Sequence, residues 1–230
     1  MIPNMIQYLR KNGQLPIITA LVFSTIFGMI LVAIRAHITG HITFLFLYWN
    51  IILAIFPLVV SIFLATLNDK ANISRYTFWG LVFLWLLFFP NAPYIITDLF
   101  HLKERDFPYW YDLGVLMLFS WNGTVIGLLS LNYIQILISQ RYTPQLGWLF
   151  TLVAIFLGSF GIYLGRYLRW NSWDVITNPT DLMQDILSRI FNPFAHPKSL
   201  GVTVLFSVLL TIMYVTLNLF GERQVNKKIL

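Results

Sequence analysis

The sequence predicts an all-α, polytopic transmembrane helix bundle of six spans, and three observations predict it. Hydrophobic residues make up 58% of the chain and charged residues only 10%, against about 25% charged in soluble globular domains. The apolar residues fall in six blocks, which place spans at about 15–34, 42–67, 76–97, 111–138, 144–168 and 199–221. Each block reaches the roughly 20 residues that cross a hydrocarbon core of about 30 Å as a helix. None shows the alternation over about 10 residues that marks a membrane β-strand. The expectation is a single integral membrane domain over residues 1–230, solvated by the lipid bilayer.

The first span follows Arg10 and Lys11. About 20 apolar residues come next, with no small-residue cleavage site before Arg35, so a retained span is expected rather than a cleaved signal peptide. The chain has no cysteine, which excludes disulfides, thiolate metal sites and cysteine nucleophiles. No glycine-rich phosphate loop, Gly-x-Ser-x-Gly elbow or His-Glu-x-x-His motif is present, and nothing points to nucleic acid.

The third span carries the oddest residues. It runs apolar from Tyr76 to Phe89 and then meets Pro90-Asn91-Ala92-Pro93. A proline inside a helix removes a hydrogen bond and clashes with the preceding turn, whereas asparagine is a favoured N-cap. The expected result is a span broken at Pro90–Pro93 that restarts as an α-helix capped by Asn91 and continues to about Glu104. Broken backbone at membrane depth is tolerated only where protein or a water-filled cavity satisfies the freed groups, so the break should point inward. Asn91, Tyr94, Asp98, His101 and Arg105 fall at steps of three, four, three and four, the spacing of one α-helical stripe. That stripe faces a polar interior, or else Asp98 and His101 lie solvated among headgroups and the prolines only end the span.

The fourth span opens with the aromatic belt Phe107-Pro108-Tyr109-Trp110-Tyr111, with Asp112 just inside it. Asn122 lies some 15 Å deeper, where a hydrogen bond to another helix is its expected role. The fifth span carries Ala154, Gly158, Gly161 and Gly165 on one face, a small-residue spacing for close helix approach. At its end stand Arg166 and Arg169, then Trp170, Trp173 and Asp174. The arginines grip phosphates of bulk lipid or form a paired clamp for a bound anion. In the loop before the last span, Leu182, Met183, Ile186, Leu187, Ile190 and Phe191 recur at helical spacing between Asn178-Pro179 and Asn192-Pro193. This predicts a short interfacial amphipathic helix near 180–191.

The ends of spans three and five and the start of span four emerge on one face of the membrane. The face of the termini holds eight of the 15 Lys and Arg residues and the opposite face seven. The basic-residue rule then places both termini in the cytoplasm.

Residues 89–102, Trp110-Tyr111-Asp112 and 165–174 resemble the signature segments of a multi-pass membrane family, domain of unknown function 1361. The resemblance implies a bacterial cell (inner) membrane protein and no assigned activity. Three function classes remain open. The shared face forms a pocket for an anionic or lipid-derived ligand, with Arg166 and Arg169 as a clamp and Asn91, Tyr94, Asp112 and Asp174 among its polar contacts. Alternatively the pocket is catalytic on a lipid-linked substrate, with Asp98 or His101 as general base, or with Asp98, His101 and Asp112 holding a divalent metal. In the third class the polar residues lock the bundle together as a structural or assembly partner. A transporter fits less well, because only one span is interrupted.

Overall fold

The computed structural model describes residues 2–70, 73–102 and 107–226, without the side chains of residue 70 and of 221–226. Among the described residues every regular element is helical and no strand occurs. Six stretches are long and apolar enough to cross a membrane: Leu15–Thr39, Phe46–Asp69, Arg75–His101, Tyr109–Arg141, Pro144–Leu168 and Pro197–Phe220. The chain is an all-α, multi-pass membrane protein, as its composition predicts.

The chain divides into two compact units, Met1–Gly147 and Trp148–Leu230. In the first, a short helix α1 (Ile2–Lys11) precedes α2 (Leu15–Thr39), α3 (Phe46–Lys70), α4 (Arg75–Phe88), a single turn α5 (Asn91–Tyr94), a 3-10 stretch (Ile95–His101) and α6 (Tyr109–Arg141). The helices α3 and α6 pair at the centre, and α2, α4, α5 and the 3-10 stretch pack on them. Leu47, Ile51 and Leu64 of α3 and Leu116, Phe119, Leu131 and Ile134 of α6 are fully buried in that core. At 33 residues α6 is about 50 Å long and overshoots the hydrocarbon core at its ends.

Three differences from expectation have local causes. α2 continues past Ile34 to Thr39, where Gly40 takes a left-handed conformation (φ 67°) and returns its N–H to Ala36 O. Arg35, expected in a loop, is thereby inside a span. α1 was not expected; it buries Leu9 and leaves Ile2 and Ile6 exposed. Beyond the break the chain winds as a 3-10 helix, where an α-helix to about Glu104 was expected. Residues 103–106, and with them Glu104 and Arg105, lie outside the described residues. One proline does not suffice to interrupt a span here, since α3 runs through Pro57.

The second unit contains most of α7 (Pro144–Tyr163), a π-helical turn (Leu164–Leu168), a single turn α8 (Asp174–Thr177), α9 (Pro179–Phe191), a 3-10 turn (Pro193–Ala195) and α10 (Pro197–Asn226). α9 is the amphipathic helix the loop pattern predicts, with Pro179 in its first turn. Its Leu182 and Ile186 pack with Tyr163, Leu164 and Val202, while Met183, Ile190 and Phe191 stay exposed, as suits a helix lying in the interface plane.

Candidate functional site

The break in span three is sealed by protein. Pro90 and Pro93 have no N–H to give, so carbonyls upstream need other donors. Asn91 Nδ2 donates to Phe88 O at 3.0 Å, and Ala92 N donates to Phe89 O at 3.2 Å. Thr97 Oγ1 donates to Tyr94 O at 2.7 Å, and Ser120 Oγ, from α6, donates to Ile95 O at 3.1 Å. Asn91 therefore closes the end of α4 instead of capping the restart; the N-cap position belongs to Pro90 and carries no side-chain cap. The break does point inward: Phe89, Ala92 and Ile95 are wholly buried.

The approach of α6 to the break depends on two glycines. A Cβ built on Gly123 would lie 2.7 Å from Ala92 O and 2.8 Å from Ile95 Cδ1, and one on Gly127 3.0 Å from Ala92 Cβ. Gly123 and Gly127 form a Gly-xxx-Gly pair, the spacing that lets membrane helices touch at the backbone. Sequence reasoning found this pattern in span five and missed it in span four, where the signal was equally plain. Between the glycines and the mouth of the bundle, Asn122 makes the interhelical bond expected of it, accepting from Ser24 Oγ at 2.9 Å.

The predicted polar stripe does not share one environment. Asp98 is buried, 1% exposed, and accepts a hydrogen bond from Asn50 Nδ2 of α3 at 2.7 Å. Asn91 and Tyr94 are half-buried, and His101 is exposed, its ring 5.0 Å from that of Phe46. The tighter 3-10 winding turns Asp98 away from Tyr94, four residues before it, whereas His101, three residues beyond Asp98, keeps its direction but stands at the end of the stretch. Among the described residues no three His, Asp or Glu side chains gather as metal ligands. Asp98, His101 and Asp112 thus do not make the cation site their types allow.

Asp112 has a different partner. Its carboxylate is held in a two-point ion pair by Arg35, Nε to Oδ1 at 2.6 Å and Nη2 to Oδ2 at 2.8 Å, with both side chains 3% exposed. The guanidinium centre lies 4.3 Å from the Phe44 ring centroid and 5.4 Å from that of Phe107, and such cation–π contacts partly offset desolvation. Arg35 Nη1 is buried without a hydrogen-bond partner. Nearby, the Tyr111 hydroxyl donates to Leu31 O of α2 at 2.9 Å. The pair was missed because Arg35 read as a loop charge. The available signal was that Arg35 and Asp112, opposite in sign, end two spans on one membrane face.

In the second unit, Arg166 sits half-exposed in the π turn and Arg169 ends it. Arg169 is exposed and is held at φ 63°, the one non-glycine residue with positive φ among those described. The turn is closed by Trp170 N donating to Leu164 O at 3.2 Å. The described carboxylates of this unit, Asp174, Asp181 and Asp185, each accept hydrogen bonds. Asp174 accepts from Asn171 N at 2.7 Å and Thr177 Oγ1 at 2.9 Å; the Asn171 N–H foremost, against partial burial, holds its carboxyl below the ordinary range. Asp181 accepts from Asn178 Nδ2 at 2.9 Å. Asp185 takes Trp170 Nε1 at 2.7 Å and Arg189 Nη1 at 2.7 Å. Lys198 Nζ lies 4.0 Å from the centroid of the Tyr167 ring.

A family model described as a protein of unknown function, DUF1361, matches residues 49–213. The match begins in α3 and takes in the break, Asp112, the π turn, α9 and most of α10, but not Arg35. No curated protein and no solved structure matches the chain.

Proposed function

The chain belongs to the DUF1361 family of proteins of unknown function, and on that premise we propose that it binds an anionic, lipid-derived ligand at one membrane face through Arg166 and Arg169. The observation that carries this reading is Arg169 in the left-handed region. That conformation costs a side-chain-bearing residue about 1–2 kcal/mol, and glycine would adopt it at no steric cost. Strain of this kind concentrates at functional positions. A guanidinium also matches phosphate in two-point geometry where an ammonium does not.

The reading places the protein in a bacterial inner membrane with both termini cytoplasmic. The basic-residue margin for that orientation widens once Arg35 is withdrawn from the loops, from eight against seven to eight against six. A second reading, an enzyme acting on a lipid-linked substrate, has one observation in its favour: Asp98 is an ionisable group buried within a span, where such groups are costly and tend to be functional.

The double variant Arg166→Lys/Arg169→Lys keeps both charges and loses the planar fork. It is expected to retain less anionic phospholipid after purification, by roughly fivefold or more, measured by lipid extraction and phosphate analysis. Unchanged lipid content would sink the reading. Arg169→Gly is the companion: it should relieve the turn, raising the melting temperature, while lipid content falls.

A further inference from the structure

We propose that a groove along the first three turns of α10 holds one acyl chain of an anionic phospholipid whose phosphate lies against Lys198. The inference rests on the reading of this face as a lipid-anion site and names its ligand more closely.

The groove has a volume of about 590 Å³ and is lined by Pro193 and Phe194 of the 3-10 turn and by Pro197, Gly201, Val204 and Val208 on one face of α10, among others. Its walls are apolar, with no polar side chains converging on it, so the bound part of the ligand is hydrocarbon. From Pro197 to Val208 the helix rises roughly 16 Å, about half of a ~30 Å core, so the groove spans the depth of one leaflet's acyl chains. It opens at the interface, where Phe194 is 89% exposed. Lys198 stands on the same first turn of α10, next in sequence to Pro197 of the lining, and is exposed.

An acyl chain gains little by leaving bilayer for an apolar groove, because lipid tails are as apolar as leucine. Selective occupancy therefore has to come from the headgroup. Lys198 supplies the charge: its ammonium rests on the Tyr167 ring, next in sequence to Arg166, so headgroup and chain contacts belong to one molecule of the adjacent leaflet. Basic residues at a membrane surface attract anionic lipid in this way.

Gly201 makes the groove testable. A Cβ built on it meets nothing within 4 Å, so Gly201→Phe puts a ring into the groove without displacing backbone. The full-length protein is reconstituted in vesicles of phosphatidylglycerol and phosphatidylcholine, re-extracted, and its retained lipids and oligomeric state are measured by native mass spectrometry. Phosphatidylglycerol is expected to be retained over phosphatidylcholine by the wild type, and to fall roughly fivefold in both Lys198→Gln and Gly201→Phe with melting temperatures unchanged. If Gly201→Phe keeps its phosphatidylglycerol while Arg166→Lys/Arg169→Lys loses it, the groove is empty of lipid and the anion reading stands alone. If neither variant loses it, both fail. A dimer that Gly201→Phe converts to monomer, at unchanged lipid content, would assign the groove to a second copy of the chain and overturn the inference.

Discussion

Asp112→Ala is expected to destabilise the protein by about 3–5 kcal/mol, the range for removing one partner of a buried ion pair. The remaining Arg35 would keep a charge that is 2% exposed with neither of its two described carboxylate bonds. Arg35→Ala should cost a similar amount by stranding the carboxylate. The two losses will not add. Arg35→Met/Asp112→Leu removes both charges and both desolvation penalties, and replacing a buried pair by apolar groups is often neutral or stabilising. The double variant should therefore recover most of the melting temperature and membrane accumulation that either single variant loses. A double variant as impaired as the singles would show that the charges do more than hold α2 to α6.

Gly123→Ala is expected to cost about 1–3 kcal/mol, the scale of overpacking a close-packed interior. The added carbon would meet Ala92 O at 2.7 Å, and a backbone oxygen at a helix break has no rotamer by which to retreat. Gly114 provides the comparison within the same helix, since a Cβ there meets nothing within 4 Å. Gly114→Ala should be neutral or slightly stabilising, as alanine has the better helix propensity. Thermal unfolding of the two variants in detergent, read side by side, separates loss of the α6-to-break contact from a general response to alanine. Equal melting temperatures would mean that α6 does not approach the break this closely.

The architecture was legible because it rests on the coarsest signal a chain carries. Six apolar blocks of span length leave few alternatives, and Pro90 with Pro93 marks the interruption on chemical grounds alone. What was not legible is how each interruption is repaired. The roles of Asn91, Thr97 and Ser120 depend on which carbonyl each can reach, and reach depends on a 3-10 winding that residue spacing does not announce. A stripe drawn from spacing alone also joined Asp98, which is buried, to His101, which is exposed at the end of the 3-10 stretch, because spacing does not say how deep each turn lies in the bundle. Arg35 was lost to a boundary rule: a span was ended at its first charge, although a charge paired in the interior need not end a helix. Asn50 was invisible because one amide in a long apolar run gives no pattern, and only its 2.7 Å bond to Asp98 gives it a role. The arginines of the π turn were legible as residue types. The strained backbone under Arg169 was not, because nothing in Leu168-Arg169-Trp170 predicts positive φ.

These residues divide into polar side chains that lock the first unit and cations of the second for which we propose a lipid anion. The most direct measurement is the retained anionic phospholipid per folded molecule, together with the melting temperature, for wild type, Asp112→Asn and Arg166→Lys/Arg169→Lys purified in parallel. The account predicts that Asp112→Asn lowers the melting temperature with lipid unchanged, and that the arginine variant loses lipid with the melting temperature unchanged. Lipid lost from Asp112→Asn and retained by the arginine variant would contradict it.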